Sequence, residues 1–81
     1  MFRLARCKDK GAFSAKLENP RKLNFNKLRK KYKAIADTPI VMVIKAGSFD
    51  IVVHRHGELI FKNDGDKEEM REIAGEIYEN A

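Results

Sequence analysis

Several residue types that define whole classes of protein are scarce or missing in this sequence. It contains one cysteine, Cys7, and no tryptophan or glutamine. An internal disulfide is therefore excluded, and a lone cysteine fits a reducing cytoplasm, where we expect Cys7 to be a small, buried or half-buried apolar residue. The lack of glutamine beside abundant Lys, Arg, Glu and Asp favours a thermophilic source.

Membrane and catalytic signals are also missing. No apolar run approaches the roughly 18 to 20 residues that a spanning helix needs, and the first residues lack the order of a signal peptide. Ser14 and Ser48 have no nucleophile-elbow context, no glycine-rich phosphate loop occurs, and the carboxylates concentrate on one predicted helix face. We therefore expect a cytoplasmic protein that is neither a membrane protein nor an enzyme.

The charge that is present is unevenly distributed along the 81 residues, of which 43% are hydrophobic and 36% charged. These values indicate one small globular domain. Residues 1–38 hold 12 Lys or Arg and 3 acids, net +9, whereas residues 39–81 hold 5 and 9, net −4. This asymmetry predicts a polyanionic partner for the first half, or head-to-tail contact between copies of the chain.

The second half of the chain carries the clearest pattern. Runs rich in β-branched and aromatic residues, separated by glycine turns, predict strands at about Ile40–Lys45, Phe49–Arg55 and Glu58–Asn63. Asp66, three residues before Glu69, fits a helix-capping pattern. The helix that follows has a single apolar stripe at helical spacing, formed by Met70, Ile73, Ala74, Ile77 and Tyr78.

The turn at His56-Gly57 decides which residues share a sheet face. A two-residue turn places Val53 opposite Ile60 and Val52 opposite Phe61. Both faces then carry large apolar residues, which predicts that the outer face is covered by a partner, a second subunit or a ligand. The alternative is a longer turn or a bulge, which would shift the register.

The first half predicts a hairpin and a helix. Met1–Cys7 and Ala12–Glu18 alternate as strands around a turn at residues 8–11, and Asn24 is a suitable N-cap for a helix within Lys22–Asp37. The stripe of that helix comprises Phe25, Leu28, Tyr32, Ile35 and Ala36. Together the elements predict an α+β domain in the order ββαβββα, with an antiparallel sheet of four or five strands and two helices on one face.

Basic residues surround the first predicted helix. Clustered cations that displace condensed counterions are a sequence-independent source of nucleic-acid affinity, so the cluster predicts a phosphate-contacting surface. A solvated helix face on a lysine-rich protein is the alternative. The candidate residues are Arg21, Lys22, Lys27, Arg29, Lys30, Lys31 and Lys33.

Two further clusters have the side chains of metal ligands. Asp64, Asp66 and Glu69 present oxygen atoms around one turn, as calcium prefers, although the spacing is not that of an EF-hand and the same residues can form a turn and a helix cap. His54 and His56 are spaced to share a strand face and could hold a metal or a phosphate. The four ligands of a structural zinc site are missing, which favours an exposed hairpin tip.

The order from Phe13 to Tyr78 resembles one half-repeat of the TATA-binding protein fold, above all in FDIVVHRHGELIFKNDGDKEEMREIAGEIY. That resemblance implies a curved antiparallel sheet with both helices on its convex side and an apolar concave face, which in that family lies on the minor groove. Either Val52, Leu59 and Phe61 or Ile51, Val53 and Ile60 would occupy this face. The family carries two halves in one chain, so a saddle would require a homodimer here.

The leading functional hypothesis is a non-enzymatic, dimeric nucleic-acid-binding protein that uses the basic helix for phosphates and the open sheet face for bases or shape. A divalent-cation binder and a protein-interaction subunit are the alternatives.

Overall fold

The structure, a computed structural model, describes residues 2–6, 13–63 and 65–81. Its elements in chain order are β1 (Phe2–Arg6), β2 (Phe13–Leu17), α1 (Phe25–Lys31), β3 (Lys33–Asp37), β4 (Val41–Ala46), β5 (Phe49–His54), β6 (Leu59–Phe61) and α2 (Lys67–Asn80). The strands form one antiparallel sheet in the order β1-β2-β6-β5-β4-β3. The predicted α+β class is confirmed, but the sheet has six strands and the order is ββαββββα.

One face of this sheet and both helices enclose the core. The inward residues of the four inner strands are almost completely buried: Phe13, Ala15, Met42, Ile44, Ala46, Phe49, Ile51, Val53, Leu59 and Phe61. The helices add Phe25 and Leu28 from α1 and Met70, Ala74, Ile77 and Tyr78 from α2 to the same cluster. Both helices therefore cover one face, as predicted, and we call the opposite face of the sheet the open face.

The first helix is shorter than its sequence pattern predicts. Asn24 caps it as expected, because its side chain accepts a hydrogen bond from the Asn26 backbone N–H at 3.0 Å, but the helix ends at Lys31. Residues 33–37 instead form β3, so the predicted helix over Lys22–Asp37 is wrong in its second half. Pairing with β4 outweighs helical periodicity, because without β3 the apolar strand β4 would leave one edge of its backbone unpaired.

The hairpin between β5 and β6 has a longer turn than two residues. Val53 pairs with Leu59 and Val52 with Ile60, and the His54 N–H donates to the Glu58 carbonyl at 2.8 Å. The register predicted from a two-residue turn is thus wrong, and the longer-turn alternative is confirmed. The shift by one residue places Leu59 in the core and Ile60 on the open face.

The second helix follows its sequence pattern closely. Asp66 caps it by accepting from the Glu68 N–H at 2.9 Å, and its apolar stripe packs on the core. Near its end, the Tyr78 hydroxyl lies 2.6 Å from the Gly57 carbonyl and 3.2 Å from the Ala15 carbonyl. The helix is thereby joined to β2 and to the turn before β6. None of the described helices is long and apolar enough to cross a membrane.

Cys7 and the predicted turn at residues 8–11 lie outside the described residues.

Candidate functional site

The middle of the open face carries no charged side chain. One residue from each strand meets its neighbour in a continuous cross-strand row, which runs Ala5, Ser14, Ile60, Val52, Val43, Ala36. We call this set the central row. Only 8% of Ile60 is exposed, and Val43 and Val52 are half-buried, although the helices lie on the other side of the sheet. The middle of this row is thus largely buried, whereas Ala5 and Ala36 at its two ends are exposed.

Mostly charged residues border the central row on both sides, two positions away along the strands, or three in the case of Lys33, where β3 has a bulge. One border contains Arg3, Lys16, Glu58, His54 and Val41, and the other contains Lys62, Asp50, Lys45 and Lys33. At about 3.3 to 3.4 Å per residue, the two borders lie about 13 Å apart. We call Arg3, Lys16, Lys33, Lys45 and Lys62 the border cations.

The open face has an excess of positive charge. Five border cations stand against two border carboxylates, Asp50 and Glu58, a net charge of +3 with His54 neutral. On these borders Lys16 Nζ lies 3.9 Å from Glu58, and Glu18 is the next acid beyond Lys16. Such an exposed pair holds its partners weakly. The face therefore offers an uncharged strip between two cationic margins.

Sequence reasoning overlooked four of the five border cations. Only Lys33 belonged to the predicted basic set, and the structure places it on β3, opposite Lys45, rather than on the helix. The other four are separated by up to 59 positions in the sequence, from Arg3 to Lys62. Arg3 and Lys16 each lie between apolar residues in β1 and β2, but Lys45 and Lys62 follow continuous apolar runs. The charge pattern therefore appears only when the sheet is assembled.

Two of the predicted helix cations are already paired within the protein. The Arg29 guanidinium donates to both carboxylate oxygens of Asp37, and this hydrogen bonding holds the pKa of Asp37 below its ordinary value. Lys31 Nζ lies 3.7 Å from Glu76, which also accepts a hydrogen bond from the Tyr32 hydroxyl. Burial and this bond raise the pKa of Tyr32.

The other four predicted cations keep their charge available. Arg21 donates a hydrogen bond to the Tyr78 backbone carbonyl at 2.6 Å. Because a carbonyl has no formal charge, this bond does not neutralise the guanidinium of Arg21. Lys22, Lys27 and Lys30 are exposed and form no ion pair within the part of the chain that the structure describes. Lys27 and Lys30, one turn apart on α1, point away from the core, since Phe25 and Leu28 define the opposite side of the helix.

The predicted calcium ligands do not form a described cluster. Asp64 lies outside the described residues, Asp66 caps α2, and Glu69 is exposed in the first turn of that helix. No three His, Cys, Asp or Glu side chains converge as a metal site within the described ranges. Calcium binding therefore stays a prediction from the sequence.

The two histidines lie side by side at the β5–β6 hairpin. Their ring centroids are 5.4 Å apart, and His56 Nε2 is 3.8 Å from a Glu58 carboxylate oxygen. His56 is exposed in the turn, whereas His54 faces the open side at the end of β5. The arrangement is that of a hairpin tip beside the positive border.

Comparison with known proteins identifies no relative: no family model, no curated protein and no solved structure matches this chain.

Proposed function

We propose that the protein is a non-enzymatic nucleic-acid-binding protein that binds a duplex across its open face. The observation that carries this proposal is the uncharged central row between two borders with a net charge of +3. Lys and Arg side chains on the borders would contact phosphates and release their counterions, which is the main source of sequence-independent affinity. The central row would lie against the surface between the two phosphate backbones.

The charge of the open face favours a polyanion over a second copy of the chain. Two open faces packed against each other would bring like charges together around an apolar centre, and such juxtaposition is costly in an interface. A polyanion meets the opposite sign instead. This charge supports nucleic acid over the predicted homodimer as the partner of this face.

The side chains of the central row favour a double strand over a single strand. Proteins that bind single strands without sequence preference stack the bases on aromatic side chains. The six residues of the central row are Ala, Ser, Ile and Val, and none is aromatic. The resemblance to a TATA-binding protein half-repeat, proposed from the sequence, also implies binding by the sheet face away from the helices. Each of its two predicted residue sets is wrong in part, because Ile51, Val53, Leu59 and Phe61 are buried in the core and only Val52 and Ile60 lie on the open face.

The test is fluorescence anisotropy with a labelled duplex DNA of about 20 base pairs over a series of NaCl concentrations. Contacts from four or five border cations give a log–log salt slope of about −4, from roughly −0.9 per phosphate. The variant Lys33→Gln/Lys45→Gln should weaken binding and bring the slope about 2 closer to zero, near 1 for each lysine lost.

A matched variant separates this surface from the basic helix. Lys27→Gln/Lys30→Gln removes the same two charges from α1, so the net charge falls from +5 to +3 in both proteins. The slope for a single duplex should change much less in the helix variant. A wild-type affinity that does not respond to salt, or a helix variant that weakens binding more than the open-face variant, would refute the proposal.

A second variant addresses the central row. Val52→Glu places a negative charge in the middle of the open face, opposite Ile60, and should abolish binding. Val52→Thr, which keeps the shape of the side chain and adds no charge, should bind like the wild type. Equal binding by both variants would show that the central row is not part of the interface.

A further inference from the structure

A second positive surface remains on the helix side of the molecule after the open face is assigned. It consists of the predicted cations that are not neutralised by a carboxylate within the described residues: Arg21, Lys22, Lys27 and Lys30. We call this set the helix patch. All four residues are exposed.

The helix patch and the open face lie on opposite sides of the domain. Residues Phe25 and Leu28 turn the inner side of α1 towards the core, and the sheet lies between that core and the open face. The smallest principal extent of the molecule is 22 Å. The screening length at physiological salt is only about 8 Å, so a polyanion on one side exerts little repulsion on a polyanion on the other.

We propose that the protein bridges two nucleic-acid duplexes, one on the open face and one on the helix patch. This inference rests on the function proposed above and adds a second contact of the same chemistry. Three or four cations would contribute a salt slope of about −3 for the second duplex, against about −4 for the first. Binding of the second duplex therefore weakens less steeply with salt than binding of the first, and it starts from a lower affinity because fewer contacts hold it. The complete bridge needs both contacts, so its slope is the sum of the two, about −7.

The acidic surface of α2 restricts where the second duplex can lie. Glu72, Glu76 and Glu79 are exposed on α2, which packs beside α1 through the contact of Tyr32 with Glu76. A phosphate backbone is repelled by these carboxylates and attracted by Lys27 and Lys30. The second duplex is thus held mainly along the outer side of α1 by Lys27 and Lys30, and Arg21, which donates to the Tyr78 carbonyl of α2, lies nearer to the acidic helix.

A two-duplex capture assay tests the proposal. One biotinylated duplex is fixed on beads, and a second, fluorescent duplex is added with and without protein in about 50 mM NaCl. The wild type should retain the fluorescent duplex on the beads. Lys27→Gln/Lys30→Gln should reduce this retention at least fivefold, while its affinity for a single duplex, measured by anisotropy, stays within twofold of the wild type.

The control variant Lys67→Gln/Arg71→Gln removes two exposed cations from α2, outside both surfaces, and should retain the fluorescent duplex normally. Sedimentation velocity on each protein with one duplex establishes the number of protein copies per complex. If the helix-patch variant retains as much fluorescent duplex as the wild type, bridging through α1 is refuted. The same result is expected if a protein dimer joins the duplexes through two open faces, so that outcome also counts against the proposal.

The two proposals fail in different ways. If Lys33→Gln/Lys45→Gln leaves single-duplex affinity unchanged, the proposed function of the open face is wrong. If that variant loses affinity but the wild type retains no fluorescent duplex, the open face binds nucleic acid and the bridging proposal alone is refuted.

Discussion

The hydroxyl group of Tyr78 is a single buried polar contact that connects three parts of the fold. Only 2% of this residue is exposed, and its oxygen lies 2.6 Å from the Gly57 carbonyl and 3.2 Å from that of Ala15. The change Tyr78→Phe removes the hydroxyl and keeps the ring, so both carbonyl oxygens lose a buried donor. Leaving buried polar groups without a partner costs about 1–3 kcal/mol, and we expect a loss of about 2 kcal/mol.

Urea denaturation at neutral pH measures this loss. For a domain of this size the slope m is near 1 kcal/mol/M, so the midpoint should fall by roughly 2 M with m unchanged. Each kcal/mol also lowers Tm by about 4–8 °C. The matched control is Tyr32→Phe, whose hydroxyl bonds to Glu76 in an exposed setting and should cost about 0.5 kcal/mol or less.

The stability that Tyr78 contributes should also depend on pH. Burial, followed by the negative charge of Glu58, raises the pKa of Tyr78 above its ordinary value. The unfolded chain therefore releases the phenolic proton first, near pH 10, so the stabilisation is complete below about pH 10 and is lost as the pH rises above it. Tyr78→Phe should flatten this alkaline decline.

Equal midpoints for Tyr78→Phe and Tyr32→Phe at neutral pH would refute the reasoning. That result would mean that the Tyr78 hydroxyl does not hold α2 against β2 and the β5–β6 turn.

Three further predictions concern the backbone and the core, each measured by urea or thermal unfolding. Asp66→Ala should cost about 1 kcal/mol because it removes the N-cap of α2, whereas Asp66→Asn, which can still cap the helix, should cost only a few tenths. A calcium-induced rise in Tm that disappears in both variants would show a metal role instead. Gly57→Ala should cost about 1–3 kcal/mol because φ at Gly57 is +119°. Gly75→Ala, inside α2, should instead stabilise the protein by about 0.5–1 kcal/mol, because an added Cβ would have no contact shorter than 3.9 Å. Equal effects of the two changes would contradict the turn geometry. Leu28→Ala should cost about 2–5 kcal/mol because this side chain is fully buried, and a loss below 1 kcal/mol would show that α1 does not pack on the core.

Local patterns in the chain were enough to predict the parts of the fold that depend on near neighbours. A helix cap acts over two or three residues and an apolar stripe over turns of 3.6, so Asn24, Asp66 and the buried side of α2 could be identified from local spacing. The β-rich runs that became β4, β5 and β6 were recognisable for the same reason. These features suffice for the α+β class, for α2 and for the start of α1.

The way in which distant segments meet could be seen only in the folded molecule. Residues 33–37 follow a helical pattern, but they complete the edge of the sheet beside β4, because backbone pairing along a strand outweighs a weak helical preference. The register of β5 with β6 depended on a turn whose length the residues left open. The position of β6 between β2 and β5 then assembled the central row from six strands and brought Arg3, Lys16, Lys33, Lys45 and Lys62 to one face. A charged surface of this kind is made by contacts between residues far apart in the chain, so no local pattern could show it.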